Sequence, residues 1–162
     1  MISPQFIVED ALAAILTPIT GLNVYISNRR GARFFPYATI RAQIGSQLII
    51  PASGVYEVSV ELTYSDSAVR TTQATFESNY FDIFSALYDP VPTLALKIQD
   101  KSENIKIYMA RITSQTPTVR TDKRAWVRGL NLSVICTPTD KPDGLRDYDF
   151  SESLNSFYIA TI

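Results

Sequence analysis

From Val55 to Tyr64 the chain alternates strictly. Tyr56, Val58, Val60, Leu62 and Tyr64 are apolar or aromatic, and Glu57, Ser59, Glu61 and Thr63 between them are polar. Successive side chains on a strand point to opposite faces. This run therefore predicts a strand with one face on a core and the other facing water or a partner.

The flanking segments take their places around that strand. Ser3-Pro4 reads as a helix start, with Ser as N-cap and Pro at the first helical position. Phe6, Ile7, Ala11, Leu12, Ala14 and Ile15 give an apolar stripe, with Glu9 and Asp10 on the other side, where the helix dipole favours them. Pro18 and Gly21 end the helix. Its polar face lacks the lysines and arginines of interfacial helices, so it is expected to pack on a sheet. Leu22 to Ser27 reads as a strand, with Leu22, Val24 and Ile26 on one face and Asn23 and Tyr25 on the other. A basic loop follows, holding Arg29, Arg30 and Arg33, and then a second strand over Tyr37 to Ile44. Gly45 to Gly54 reads as a loop with a short strand at Leu48, Ile49 and Ile50, or as the tip of a protruding hairpin.

After the alternating strand, Thr71 to Tyr88 reads as a helix. Phe76, Tyr80, Ile83, Phe84 and Leu87 recur at spacings of three and four, and Phe81 and Tyr88 widen the stripe beyond one face. Those surplus aromatics point to a second contact. Asp89-Pro90 and Pro92 end the helix. Ile105 to Ile112 and Trp126 to Cys136 are the last strands, joined by a polar loop over Thr113 to Lys123. The expected fold is α+β: one domain over residues 1–137, a mixed or antiparallel sheet covered by two helices. Residues 138–162 form an extended C-terminal arm in this reading. There Asp140, Asp143, Asp147, Asp149 and Glu152 outnumber Lys141 and Arg146, while Tyr148, Phe150, Phe157 and Tyr158 give the aromatic content of a packing segment.

Composition narrows function mainly by exclusion. A chain of 162 residues suits one domain. The formal net charge of -1 gives no overall attraction for nucleic acid or anionic membrane. Histidine is absent, which removes the general base of Ser-His-Asp and Cys-His triads and the commonest transition-metal ligand. The single cysteine, Cys136, has no intramolecular partner and reads as a small buried hydrophobe. The first twenty residues lack the basic start of a signal peptide, and no apolar run reaches the roughly 18 residues that span a bilayer. The expected setting is a cytoplasm.

The candidate chemistry is thin. Glu57 and Glu61 share a strand face, but four residues of strand span about 13 Å, whereas paired glycosidase carboxylates sit roughly 5 to 9.5 Å apart. They read as solvated or interface charges. The acidic arm lacks the order of a calcium loop, and no phosphate loop or GxSxG elbow occurs. No enzyme activity, metal or cofactor is expected. Arg29, Arg30 and Arg33, and separately Arg120, Lys123, Arg124 and Arg128, form basic clusters without the aromatic interleaving of single-strand binders. Pairing of basic loop with acidic arm between subunits is the better use. Leu48, Ile49, Ile50, Tyr148, Phe150, Phe157 and Tyr158 join the loop arginines as interface candidates.

The order of these elements resembles the phage tail terminator (tail completion) family over residues 3–137. It runs helix (Pro4 to Thr17), strand ending near a basic turn (Val24 to Arg33), then Phe35-Pro36-Tyr37-Ala38-Thr39-Ile40, similar to the aromatic-Pro-x-x-x-Ile start of the next strand in such proteins. The alternating strand, the aromatic helix, a strand with a mid-strand arginine (Ile107 to Ile112) and a closing strand follow. The resemblance implies a virion structural protein of the head–tail junction. It implies a six-fold ring that caps the tail tube, ends its polymerisation and meets the head-side connector. DNA would be only passing cargo, and no membrane or catalytic residue is implied. Glu57, Glu61 and the acidic arm are then lumen or interface candidates. The alternatives are another neck, connector or tail-tube component, and an unrelated intracellular adaptor domain.

Overall fold

The computed structural model describes residues 3–27, 31–47, 54–88, 91–122 and 124–139. Among them the order is α1 (Pro4–Leu16), β1 (Asn23–Ile26), β2 (Tyr37–Gln47), β3 (Tyr56–Ser67), α2 (Gln73–Tyr88), α3 (Leu94–Asp100), β4 (Ile105–Gln115), β5 (Val119–Arg120) and β6 (Ala125–Pro138). The fold is α+β with a mixed sheet.

The alternating strand, β3, is the middle of that sheet. The strand order is β1-β2-β3-β6-β4, and β5 pairs β6 beyond the end of β4. β1 and β2 run parallel, and every other pairing is antiparallel. Register places Val60 between Ala42 and Leu132, and Leu62 between Ile40 and Leu130. These side chains are buried with Val8, Leu12 and Leu16 of α1, Phe76, Tyr80, Ile83 and Leu87 of α2, and Ile98 of α3 in one core. Each such Leu, Ile or Val contributes roughly 1.5–3 kcal/mol through removal from water. The helices therefore cover one sheet face. The Tyr64 ring stacks on Phe76 at 4.9 Å between centroids.

Three sequence expectations need correction. Glu9 does not face water: it is fully buried. Its carboxylate accepts from Ser27 Oγ at 2.7 and 2.8 Å and from the Ala42 amide at 2.8 Å. Those partners turn α1 so that Val8, Ala11, Leu12 and Leu16 point inward, while Ile7 and Ile15 pack at the margin. Three helices, not two, cover the sheet. α3 has only seven residues, too few for a helical period to stand out behind Pro92. Thr93 caps it, its side chain accepting from the Leu96 amide, and Leu94 and Ile98 are its buried positions. The polar stretch from Thr113 is partly strand: β4 continues to Gln115, and Val119 and Arg120 pair with Val127 and Trp126. Backbone pairing with the long β6 organises these polar residues, so no hydrophobic pattern marks them. In the first strand Tyr25 is buried; its ring meets Tyr37 at 5.9 Å and its hydroxyl accepts from the Phe34 amide at 3.2 Å.

Candidate functional site

The sheet face opposite the helices is polar, and no helix covers it among the described residues. Two cross-strand rows define it. One runs Arg41, Glu61, Asn131 and Ser114; the next runs Gln43, Ser59, Ser133 and Arg111. The acidic residues, Glu57 and Glu61, lie on the central β3, with Arg41 on one flank and Arg111 on the other. Side-chain bonds hold the surface in place. Ser133 Oγ donates to Glu57 Oε1 at 2.9 Å, and Asn131 Nδ2 donates to Ser114 Oγ at 2.9 Å. An open depression of about 400 Å³ lies over Arg41, Glu57, Glu61, Asn131 and Ser133. A second of about 460 Å³ adjoins it, between Ser27, Arg33, Thr39, Arg41 and Glu61.

Glu57 is held by a hydroxyl, and Glu61 stands two positions further along the same face, opposite Arg41. No cluster of three or more acidic or thiol side chains is placed to hold a metal ion among the described residues. What the surface offers is hydrogen-bonding groups and both signs of charge, which suits protein association. A surface of mixed sign has little of the phosphate-neutralising excess that drives nucleic-acid binding.

A second exposed feature lies on α2. Phe81 and Tyr88 are 61% and 65% exposed. Phe84 stands between them, with centroids 5.7 Å from Phe81 and 5.1 Å from Tyr88. Beside this aromatic ridge a groove of about 330 Å³ runs between Leu87, Tyr88 and Leu94 on the helical side and Ala110, Arg111 and Ile112 of β4. β4 is the outermost strand at this side of the sheet.

The sequence candidates distribute unevenly. Arg33, Glu57 and Glu61 come together around the two depressions. Arg29, Arg30, Leu48, Ile49, Ile50, Tyr148, Phe150, Phe157 and Tyr158 lie outside the described residues. In the second basic cluster, the Arg128 guanidinium sits 4.2 Å from the Tyr80 ring centroid and donates from Nε to the Thr116 carbonyl at 3.1 Å. Arg120 lies over the Trp126 ring at 6.0 Å. These two arginines thus serve packing. Arg41 and Arg111 were missed as surface-defining charges; each is a lone arginine inside a strand-like run, and that was the available signal. Burial raises the Tyr80 hydroxyl above its ordinary range against the opposing Arg128, and pushes Tyr64 up to about 12 and the Cys136 thiol up to about 11. Cys136 is buried in the core.

Comparison with known proteins adds a fold likeness. No protein-family model matches the chain, and no curated protein matches it. Among solved structures, a chain of a particle described as "Virion of native gene transfer agent (GTA) particle" is similar, with a TM-score of 0.51 and 12% sequence identity. The likeness covers 78% of this chain and 84% of that one. At that identity the two share a fold.

Proposed function

We propose that this protein is a virion structural protein of a phage-like particle, acting at the head–tail junction as the ring that terminates the tail tube. The observation that carries this reading is the fold likeness to a chain of a gene transfer agent virion across most of both chains. The open sheet face supports it. A closed ring needs one patch that meets a different patch on the next copy, and a surface with acids in the centre and arginines on its flanks supplies both signs for such a contact. Arg33 extends the positive side. The partners in this reading are further copies of the chain, six in the ring, with the tail tube protein on one side and the head-side connector on the other. DNA passes through without being held, and neither a cofactor nor a membrane is involved.

The test is genetic and visual. Particles produced without this chain should yield tails of uncontrolled length without heads under the electron microscope. Normal tails joined to heads would refute the role.

A further inference from the structure

The outer strands of the sheet, β1 and β4, carry backbone groups that match each other. The Asn23 amide donates to the Pro36 carbonyl at 3.1 Å. Backbone direction alternates along a strand, so Asn23 and Tyr25 turn their groups towards β2, while Val24 and Ile26 turn theirs away from the sheet. On β4 the first outward residues are already bonded: Gln99 of α3 donates from Nε2 to the Ile105 carbonyl at 2.9 Å and accepts from the Ile107 amide at 2.8 Å. The register against β6 shifts between Ile107 and Met109, which passes the outward role to Ala110 and Ile112. Each edge thus presents two alternate residues, each with an amide and a carbonyl. Among the described residues no strand pairs with either edge. Such edges are pairing templates that natural sheets cover, block or remove by closure.

The edges also agree in face and direction. Val24 and Ile26 stand in register with Ala38 and Ile40, and Ala110 and Ile112 with Val134 and Leu132, all on the side that the helices cover. Tyr25 and Arg111 lie on the open side, beside Thr39 and Ser133. β1 runs parallel to β2, and three antiparallel pairings then lead to β4, so β4 runs opposite to β1. We propose that β4 of one copy pairs antiparallel with β1 of the next, with Ile112 opposite Val24 and Ala110 opposite Ile26. Each of these two pairs exchanges both of its backbone bonds. The Val24 and Ile26 side chains then enter the groove between Leu87, Tyr88 and Leu94 on one wall and Ala110 and Ile112 on the other. Arg111 falls opposite Tyr25, in the non-hydrogen-bonded pair whose side chains stand closest. Strand addition of this kind draws affinity from main-chain bonds and specificity from pockets for alternate side chains. The contact joins two different edges, so rotation about an axis along the strands repeats it until the ring closes and no edge remains. The inference rests on the ring reading above, which supplies the second copy.

Native mass spectrometry of the purified full-length chain tests it. Proline is tolerated on an edge strand where its missing amide would face outward. Ala110→Pro and Val24→Pro therefore each block one edge and should keep the wild-type circular dichroism. The wild type should associate into a closed oligomer, and each variant alone should lose that association and stay monomeric. Mixed in equal amounts, the two should stop at a dimer, in which β4 of the Val24→Pro copy takes β1 of the Ala110→Pro copy. If either proline unfolds the chain, Ile112→Pro or Ile26→Pro blocks the same edge. A wild type that stays monomeric, or variants that assemble as it does, would overturn the proposal. Particle content separates this outcome from the ring reading. Both variants incorporated at the wild-type copy number would remove the edge contact and keep the ring. Proline-sensitive oligomers of a chain absent from particles would keep the contact and remove the virion role.

Discussion

The carboxylate of Glu9 lies 2.8 Å from the backbone amide of Ala42, fully buried between α1 and the sheet. The Ser27 hydroxyl donates to the same carboxylate, its one proton shared between the two oxygens. One acidic side chain thus joins the first helix, the end of β1 and the middle of β2. Glu9→Ala leaves a buried amide without its partner and should cost about 2–4 kcal/mol. Ser27→Ala should cost about 1 kcal/mol, and the double variant less than the sum of the two. Denaturant unfolding of the three variants measures this; strict additivity would mean that the hydroxyl and the carboxylate act independently.

Leu132 sits 2% exposed between Val60 and Ile112. Leu132→Asp places a carboxylate in the core with no cation to meet it, a cost of several kcal/mol. The variant should lose its cooperative unfolding transition by circular dichroism. An unchanged melting temperature would show that this face is not the inward one.

Tyr64 is held neutral by burial and by the nearby Asp66 charge, which push its hydroxyl from 10.0 to about 12. The folded state therefore holds this proton more tightly than the unfolded chain does. Its contribution is complete below pH 10 and is lost as the pH rises towards 12. The melting temperature of the wild type should fall more steeply over that window than that of Tyr64→Phe. Parallel curves would contradict the assignment.

Cys136 is fully buried, and burial alone raises its thiol to about 11. At pH 8 little thiolate exists and none is accessible. A disulfide reagent should label it only at the rate of unfolding. Fast labelling of the native protein would mean that β6 opens locally.

How far the sequence reached depends on where the periodicity is strong. β3 was legible because its alternation is unbroken, and its buried residues Val58, Val60, Leu62 and Tyr64 are the expected ones. α2 was legible for the same reason, down to the exposure of Phe81 and Tyr88. Glu9 was misplaced because a buried carboxylate looks like any polar residue until its donors, 18 and 33 positions away, are known. α3 was missed because seven residues carry too little pattern. The open face was half legible: Glu57 and Glu61 were singled out, but their arrangement between Arg41 and Arg111 is a matter of strand order, which no local pattern encodes.

The open face and the ridge make a prediction about assembly as distinct from stability. Glu61→Arg sets two like charges opposite each other across β2 and β3 and should cost at most about 1 kcal/mol. Phe81→Ser on the exposed ridge should stay within about 0.5 kcal/mol. Glu61→Arg should nevertheless reduce incorporation into particles, read as the ratio of this chain to capsid protein after purification. Full incorporation would remove the open face from the interface.

Copy number in purified particles decides the proposed role. Quantitative mass spectrometry should compare this chain with the tube and capsid proteins of the same particle. About six copies per particle, the content of one closed six-fold ring, is the predicted result. Absence from particles, or a copy number that scales with tube length, would contradict it.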